Sequence, residues 1–145
     1  MTQKLNHINC SIGIMAYNEE ANIGMLLDAL LKQKLHVCNI VEIIVVASGC
    51  SDNTEGIVKN YMEKDKRIKL LIQPERQGKA SAINLFLQHS KGEIIVLESG
   101  DTLPEQNTIE NLVRPFINPK VGMTGAHPVP VNLETTFIGF TVNLL

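Results

Sequence analysis

Apolar positions along this chain switch repeatedly between two spacings. Ser11 to Ala16 (SIGIMA) is a short, Ile-rich run of the kind a buried strand shows. Asn18 follows as a helix cap, with Glu19 and Glu20 in the first turn, where the helix dipole favours acids. Ile23, Leu26, Leu27, Leu30 and Leu31 then recur at three- and four-residue steps, one face of an amphipathic helix. Val41 to Ala47 (VEIIVVA) predicts a second strand, and Asp52 with Glu55 resembles a capping box before a helix that buries Ile57, Val58, Tyr61 and Met62. Ile68 to Ile72 predicts a third strand. Gly78 opens a third helix with Ala82, Ile83, Phe86 and Leu87 inward. A fourth strand is expected over Ile94 to Leu97, then a helix near Pro104 with Ile109, Leu112, Val113 and Phe116 buried. Val121 to Ala126 predicts a fifth strand, followed by a Pro-containing extended stretch to Asn132.

The resulting order, βαβαβαβαβ, implies an α/β fold: a mostly parallel βαβ sheet with helices on both faces, Rossmann-like in plan. The near-continuous apolar strands fit a sheet covered on both sides. With 145 residues the chain is one domain with one core, and no repeat or linker divides it. A net charge of −2 argues against a nucleic-acid-binding surface. Cys10, Cys38 and Cys50 form no CxxC pair, and His7, His36, His89 and His127 form no ligand pair. Reduced thiols and a cytoplasmic setting are expected, with membrane association left open for a longer protein. The first ten residues lack the apolar core of a signal peptide, and no apolar run reaches the ~18 residues of a membrane span. The apolar stretch Phe137 to Leu145 reads like the opening of an element whose remainder is missing, and either self-association through that end or a loosely ordered tail is expected.

In a parallel sheet of this kind ligands bind outside the carboxyl ends of the strands. Four turns fall there: Tyr17-Asn18-Glu19-Glu20, Ser48-Gly49-Cys50-Ser51-Asp52, Gln73 to Lys79, and Glu98-Ser99-Gly100-Asp101. No GxGxxG follows the first strand. Gly78-Lys79 is not a P-loop, because position 73 is Gln and Ala80 follows the lysine.

These turns resemble those of family 2 glycosyltransferases. SIGIMAYNEEANI is similar to that family's opening strand and Y/F-N-E-E turn, and VEIIVVASGCSDNT to its second strand and D-D-G-S-x-D-x-T turn. QPERQGKASAIN resembles its N-x-G-K-x-x-A-x-N segment, and EIIVLESGDTLPE its fourth strand and D-x-D-x-x-x-P metal motif. The resemblance covers nearly the whole chain. It implies a GT-A nucleotide-diphospho-sugar transferase fold, and residues 1–145 as a single, truncated domain that keeps the donor half and lacks the acceptor half.

It further implies metal-assisted, inverting transfer from a nucleotide-diphosphate sugar, UDP-linked, to a saccharide or lipid-linked acceptor. Donor-binding residues carried over are Ala16, Tyr17, Glu19, Ser48, Gly78, Lys79, Ser99 and Asp101. Asp101, with Glu98 as a possible second acid, would hold Mg²⁺ or Mn²⁺. Two departures stand out: Ala47 and Ser48 occupy the positions of two acids, and Ser99 that of the first Asp of D-x-D. The general base would lie beyond Leu145.

Each residue also has a plainer reading. Glu19 suits any first helical turn, Asp52 suits a cap, Gly78 suits a helix opening, Lys79 suits a solvated surface, and Asp101 suits a cap before Pro104. Two further functions stay open: a non-catalytic nucleotide-binding module, and a Rossmann-like domain for another ligand.

Overall fold

A computed structural model describes residues 7–127 and residue 129. Four strands, β1 (Ile8–Ala16), β2 (Cys38–Ser48), β3 (Ile68–Gln73) and β4 (Ile94–Ser99), form one sheet in the order β3-β2-β1-β4. Every neighbouring pair is parallel. The helices α1 (Ile23–Leu31), α2 (Thr54–Lys64), α3 (Lys79–His89) and α4 (Thr108–Val113) supply the crossovers and the end of the unit. The order reverses at β1, between β2 and β4, which places a crevice at their carboxyl ends.

Side-chain alternation along the central strands divides the core between the two faces. Ile12, Ile14, Ile43 and Val45 pack with Ile23, Leu26, Leu27, Leu30, Val58, Ile109 and Val113. The opposite face carries Ile44 and Val46 against Ala82 and Phe86 of α3. Helices therefore cover both faces, as the continuous apolar strands predict. Full burial of each Leu or Ile contributes roughly 1.5–3 kcal/mol.

The structure departs from the sequence reading in several places. β1 and β2 begin three residues earlier than the apolar runs suggest, at Ile8 and Cys38. The ladder shifts register so that Cys10 pairs with Ile40 and Ser11 with Glu42, leaving Val41 as an extra residue and 37% exposed. Residues 121–126 form no strand. Two glycines in six residues, Gly122 and Gly125, leave little side chain to pack, and Thr124 instead donates its hydroxyl to the Leu112 carbonyl at 2.8 Å. α4 ends at Val113, and a 3₁₀ turn, Arg114–Ile117, carries Phe116, because Pro115 cannot continue the α ladder. α3 buries Ala82 and Phe86 with Leu85 beside them, whereas Leu87 faces outward. Asp52 lies one residue before the cap of α2, Asn53, and takes no part in a capping box.

All four histidines are exposed. The cysteines are free thiols, Cys10 and Cys38 buried and Cys50 half-buried. Among the described residues no helix is long and apolar enough to cross a membrane. The stretch from residue 130 to Asn132 and the apolar end from Phe137 to Leu145 lie outside the described residues.

Candidate nucleotide site

The turn after β1 is tied to the turn after β2. Asn18, with φ of +54°, donates its side-chain amide to Ser51 Oγ and accepts the Ser51 N–H at 2.8 Å. The Glu19 N–H bonds Thr54 Oγ1 at 2.8 Å, the Glu20 N–H bonds Asp52 at 3.0 Å, and the Asn53 N–H bonds Glu20 at 2.9 Å. Burial acts to raise the Asp52 carboxyl, but the Thr54 hydroxyl, the Glu20 N–H and the Thr54 N–H outweigh it and hold it below its ordinary value. Asp52 is thus a strut between two loops, and its carboxylate is occupied.

The turn after β4 is closed by Thr102, whose hydroxyl reaches the Ser99 carbonyl at 2.8 Å and Glu98 Oε2 at 2.9 Å. Gly100 extends the β1–β4 ladder through its N–H to the Met15 carbonyl at 3.2 Å. A Cβ at Gly100 would stand 2.6 Å from Glu19 Cγ, so only glycine lets this turn approach the turn after β1 so closely. The loop after β3 ends at Gly78, whose φ of +85° a side chain would strain; the space beside it is open. Gly78 is also the N-cap of α3 and offers no side-chain acceptor, so the first-turn N–H groups of an 11-residue helix open toward the crevice.

These turns enclose an open cleft of about 280 Å³. Its walls include all eight donor-site residues read from the sequence: Ala16, Tyr17, Glu19, Ser48, Gly78, Lys79, Ser99 and Asp101. Four more residues join them: Met15, Arg76, Ala82 and Gly100. Arg76 lays its guanidinium over the Tyr17 ring, 3.9 Å from the centroid. Lys79 donates from Nζ to Ser99 Oγ at 3.1 Å. Ser48 is 6% exposed and accepts the Gln77 N–H at 3.3 Å. Glu19 Oε2 accepts the Asn22 amide at 2.9 Å.

Glu98 does not line the cleft. It precedes Ser99 on the strand and so points to the other face of the sheet. Burial pushes its carboxyl up, and the Thr102 hydroxyl only partly offsets that. Asp101, by contrast, is exposed at the cleft rim. Among the described residues no group of three or more His, Cys, Asp or Glu could hold a metal alone. One exposed carboxylate fits a divalent cation only together with oxygens brought by a phosphate ligand.

A parallel α/β sheet whose cleft spans the carboxyl ends of β1, β2 and β4, flanked by two cations and an open helix N-terminus, has the plan of the nucleotide- and phosphate-binding folds. The family model for Glycosyl transferase family 2 matches residues 11–143, and the chain belongs to that family. It is 38% identical over 104 residues to dolichyl-phosphate beta-glucosyltransferase ALG5C of Trichomonas vaginalis, covering 68% of this chain and 31% of that protein.

Among solved structures, a mannosyltransferase of Pyrobaculum calidifontis in complex with GDP-Man and Mn²⁺ superposes with a TM-score of 0.72. It is 31% identical, over 80% of this chain and 34% of that one. Glucosyl-3-phosphoglycerate synthase of Mycobacterium tuberculosis with Mn²⁺, UDP and glucosyl-3-phosphoglycerate gives a TM-score of 0.62. It is 25% identical, over 77% of this chain and 40% of that one. The fold is the GT-A type, and the chain spans less than half the length of each of these relatives.

Proposed function

We propose that this chain forms the donor site of a glycosyltransferase that uses a nucleoside-diphosphate sugar, with UDP as the carrier and a saccharide or lipid-linked alcohol as acceptor. The observation that carries this reading is the convergence of four separate turns on one cleft with Lys79 and Arg76 on its wall and Asp101 on its rim. In such a reaction the bond from the anomeric carbon to the diphosphate oxygen breaks, a bond to the acceptor oxygen forms, and the acceptor proton passes to a base. Attack opposite the leaving group gives inversion. Negative charge grows on the diphosphate, and a divalent cation, when bound, neutralises part of it.

The chain's own residues have distinct roles in this reading. Tyr17 and Ser48 line the base end, and Glu19 accepts a hydrogen bond from the nucleoside. Gly78 leaves the backbone open to the ligand, Lys79 faces the diphosphate, and Asp101 would hold a divalent cation through its carboxylate. The occurrence of a nucleotide with Mn²⁺ in both structural relatives supports a divalent metal, Mg²⁺ or Mn²⁺. UDP in one and GDP-Man in the other makes the base a point for direct test.

Calorimetric titration with UDP, GDP, ADP and NAD⁺ in the presence of Mn²⁺ makes that test. Binding of UDP ahead of GDP, with ADP and NAD⁺ silent, is expected. A preference for GDP would replace the uridine assignment. Binding of NAD⁺ or ADP alone would replace the donor-site reading with that of another Rossmann-like ligand.

A further inference from the structure

The acid content of the cleft is low for a site that takes its charge balance from a metal. Its carboxylates are Glu19 and Asp101, and Glu19 already accepts the Asn22 amide. At the position one residue before Gly100, where a second acid would complete a chelate with Asp101, the side chain is the Ser99 hydroxyl. That hydroxyl receives the Lys79 ammonium at 3.1 Å. An ammonium therefore stands close to where a second metal-binding carboxylate would have stood. Arg76 adds a second positive charge on the same cleft, fixed over Tyr17. Among the described residues neither cation is engaged in an ion pair, so both remain available to an anion.

The electrostatic consequence follows from the signs alone. Two carboxylates facing a diphosphate repel it, and a metal must cancel that repulsion before the anion can bind. Replacing one carboxylate by a hydroxyl removes a negative charge, and the adjacent ammonium adds a positive one. The ammonium's three donors can also shift from Ser99 Oγ to phosphate oxygens without unfolding anything, because Lys79 is exposed in the first turn of α3. Hydrogen bonds from a charged donor to phosphate are about twice as strong as neutral ones.

We propose that Lys79, set by Ser99 and assisted by Arg76, supplies part of the charge neutralisation in this cleft, so that a nucleoside diphosphate binds without divalent metal and metal adds to that affinity rather than creating it. This inference rests on the donor-site reading above.

The test is titration of UDP and of GDP into the 145-residue chain, first with excess chelator and then with Mn²⁺. Measurable binding in chelator is expected. Lys79→Ala should lower that metal-free affinity about tenfold or more, as loss of a charged hydrogen bond does, and Lys79→Arg should recover most of it. Asp101→Ala removes a carboxylate that repels the diphosphate, so it should raise the metal-free affinity and abolish the increment from Mn²⁺. Ser99→Asp, which draws the ammonium into an ion pair, should weaken binding in chelator and enlarge the Mn²⁺ increment. Circular dichroism on each variant separates these effects from unfolding. Binding seen only with Mn²⁺, or a Lys79→Ala affinity unchanged in chelator, overturns the inference while leaving the donor site standing. Absence of binding to either nucleotide under both conditions overturns the donor site itself.

Discussion

The two ends of the sheet handle charge in opposite ways. Near the amino ends of the strands, Glu42 is 2% exposed, yet its carboxylate meets Lys69 Nζ at 2.6 Å, Ser11 Oγ at 2.7 Å and the Lys91 N–H at 2.6 Å. Glu110, 3% exposed, accepts the His36 and Val37 N–H groups just ahead of β2 and the Arg114 guanidinium at 2.9 Å. At the carboxyl ends, Asp101, Lys79 and Arg76 line an open cleft, and none of them has an ion-pair partner among the described residues. Buried charge at one end is saturated and holds the structure together. Charge at the other end has no counter-charge among the described residues. Charge by itself therefore says little about function; what a charged group is already bonded to says more.

If the amino end is structural, its carboxylates should dominate stability. Glu110→Ala strands two backbone N–H groups and should cost about 3 kcal/mol in denaturant unfolding. Glu42→Ala should cost about 2 kcal/mol, because it strands one backbone N–H, that of Lys91, rather than two. Neither should alter nucleotide affinity once the protein is folded. A loss of affinity in a folded Glu42 or Glu110 variant would break the division between the two ends.

The same two carboxylates give the division a pH signature. Burial acts to raise each of them. For Glu42 the bonds from Lys69 and Ser11 outweigh it, and for Glu110 the His36 and Val37 N–H groups do, so both titrate below the ordinary glutamate value. A carboxyl lowered in the fold contributes stability that is fully present above its unfolded value, about 4.3, and that is lost as pH falls through the folded value. The stability gap between the parent chain and Glu110→Gln should therefore be widest near neutrality and shrink below about pH 4. A gap that is flat with pH would show that Glu110 is not held ionised.

Much of this division was legible in the amino-acid sequence, and the reasons for the remainder are physical. Strands such as Ile43 to Ala47 are apolar on both faces, so their place in a covered parallel sheet follows from pattern alone. The cleft-facing turns follow from the same reasoning, because the carboxyl ends of parallel strands all lie at one edge of the sheet. Residues 121–126 misled because an apolar run with two glycines looks like a strand until a partner is required. Arg76 escaped notice because a long cation in a loop has no spacing signature; its place over Tyr17 depends on where the β1 and β3 loops meet. Glu98 and Ser99 are one residue apart, yet the pleat sends them to opposite faces, which motif matching does not register. The acid inside VEIIVVA, Glu42, went unremarked in the sequence because its partner, Lys69, lies on another strand.

Substitutions at the cleft should have small effects on stability and specific effects on binding. Asp101→Ala should change unfolding free energy by no more than about 0.5 kcal/mol, as for other exposed positions. Ser48→Asp should change the ratio of UDP to GDP affinity by about 1 kcal/mol, because uracil and guanine present different N–H donors to a carboxylate. Affinities for both nucleotides moving together would remove Ser48 from the base end.

The central claim is that the carboxyl-end cleft is the nucleotide site. Amide chemical-shift mapping of the chain during titration with UDP and diamagnetic Mg²⁺ tests it most directly. The account predicts saturable shifts clustered at Met15 to Glu19, Ser48 and Gly49, Arg76 to Lys79, and Ser99 to Asp101, with His36, Val37 and Lys91 unmoved. Shifts centred on the amino-end amides, or a spectrum that UDP leaves unchanged, would contradict it.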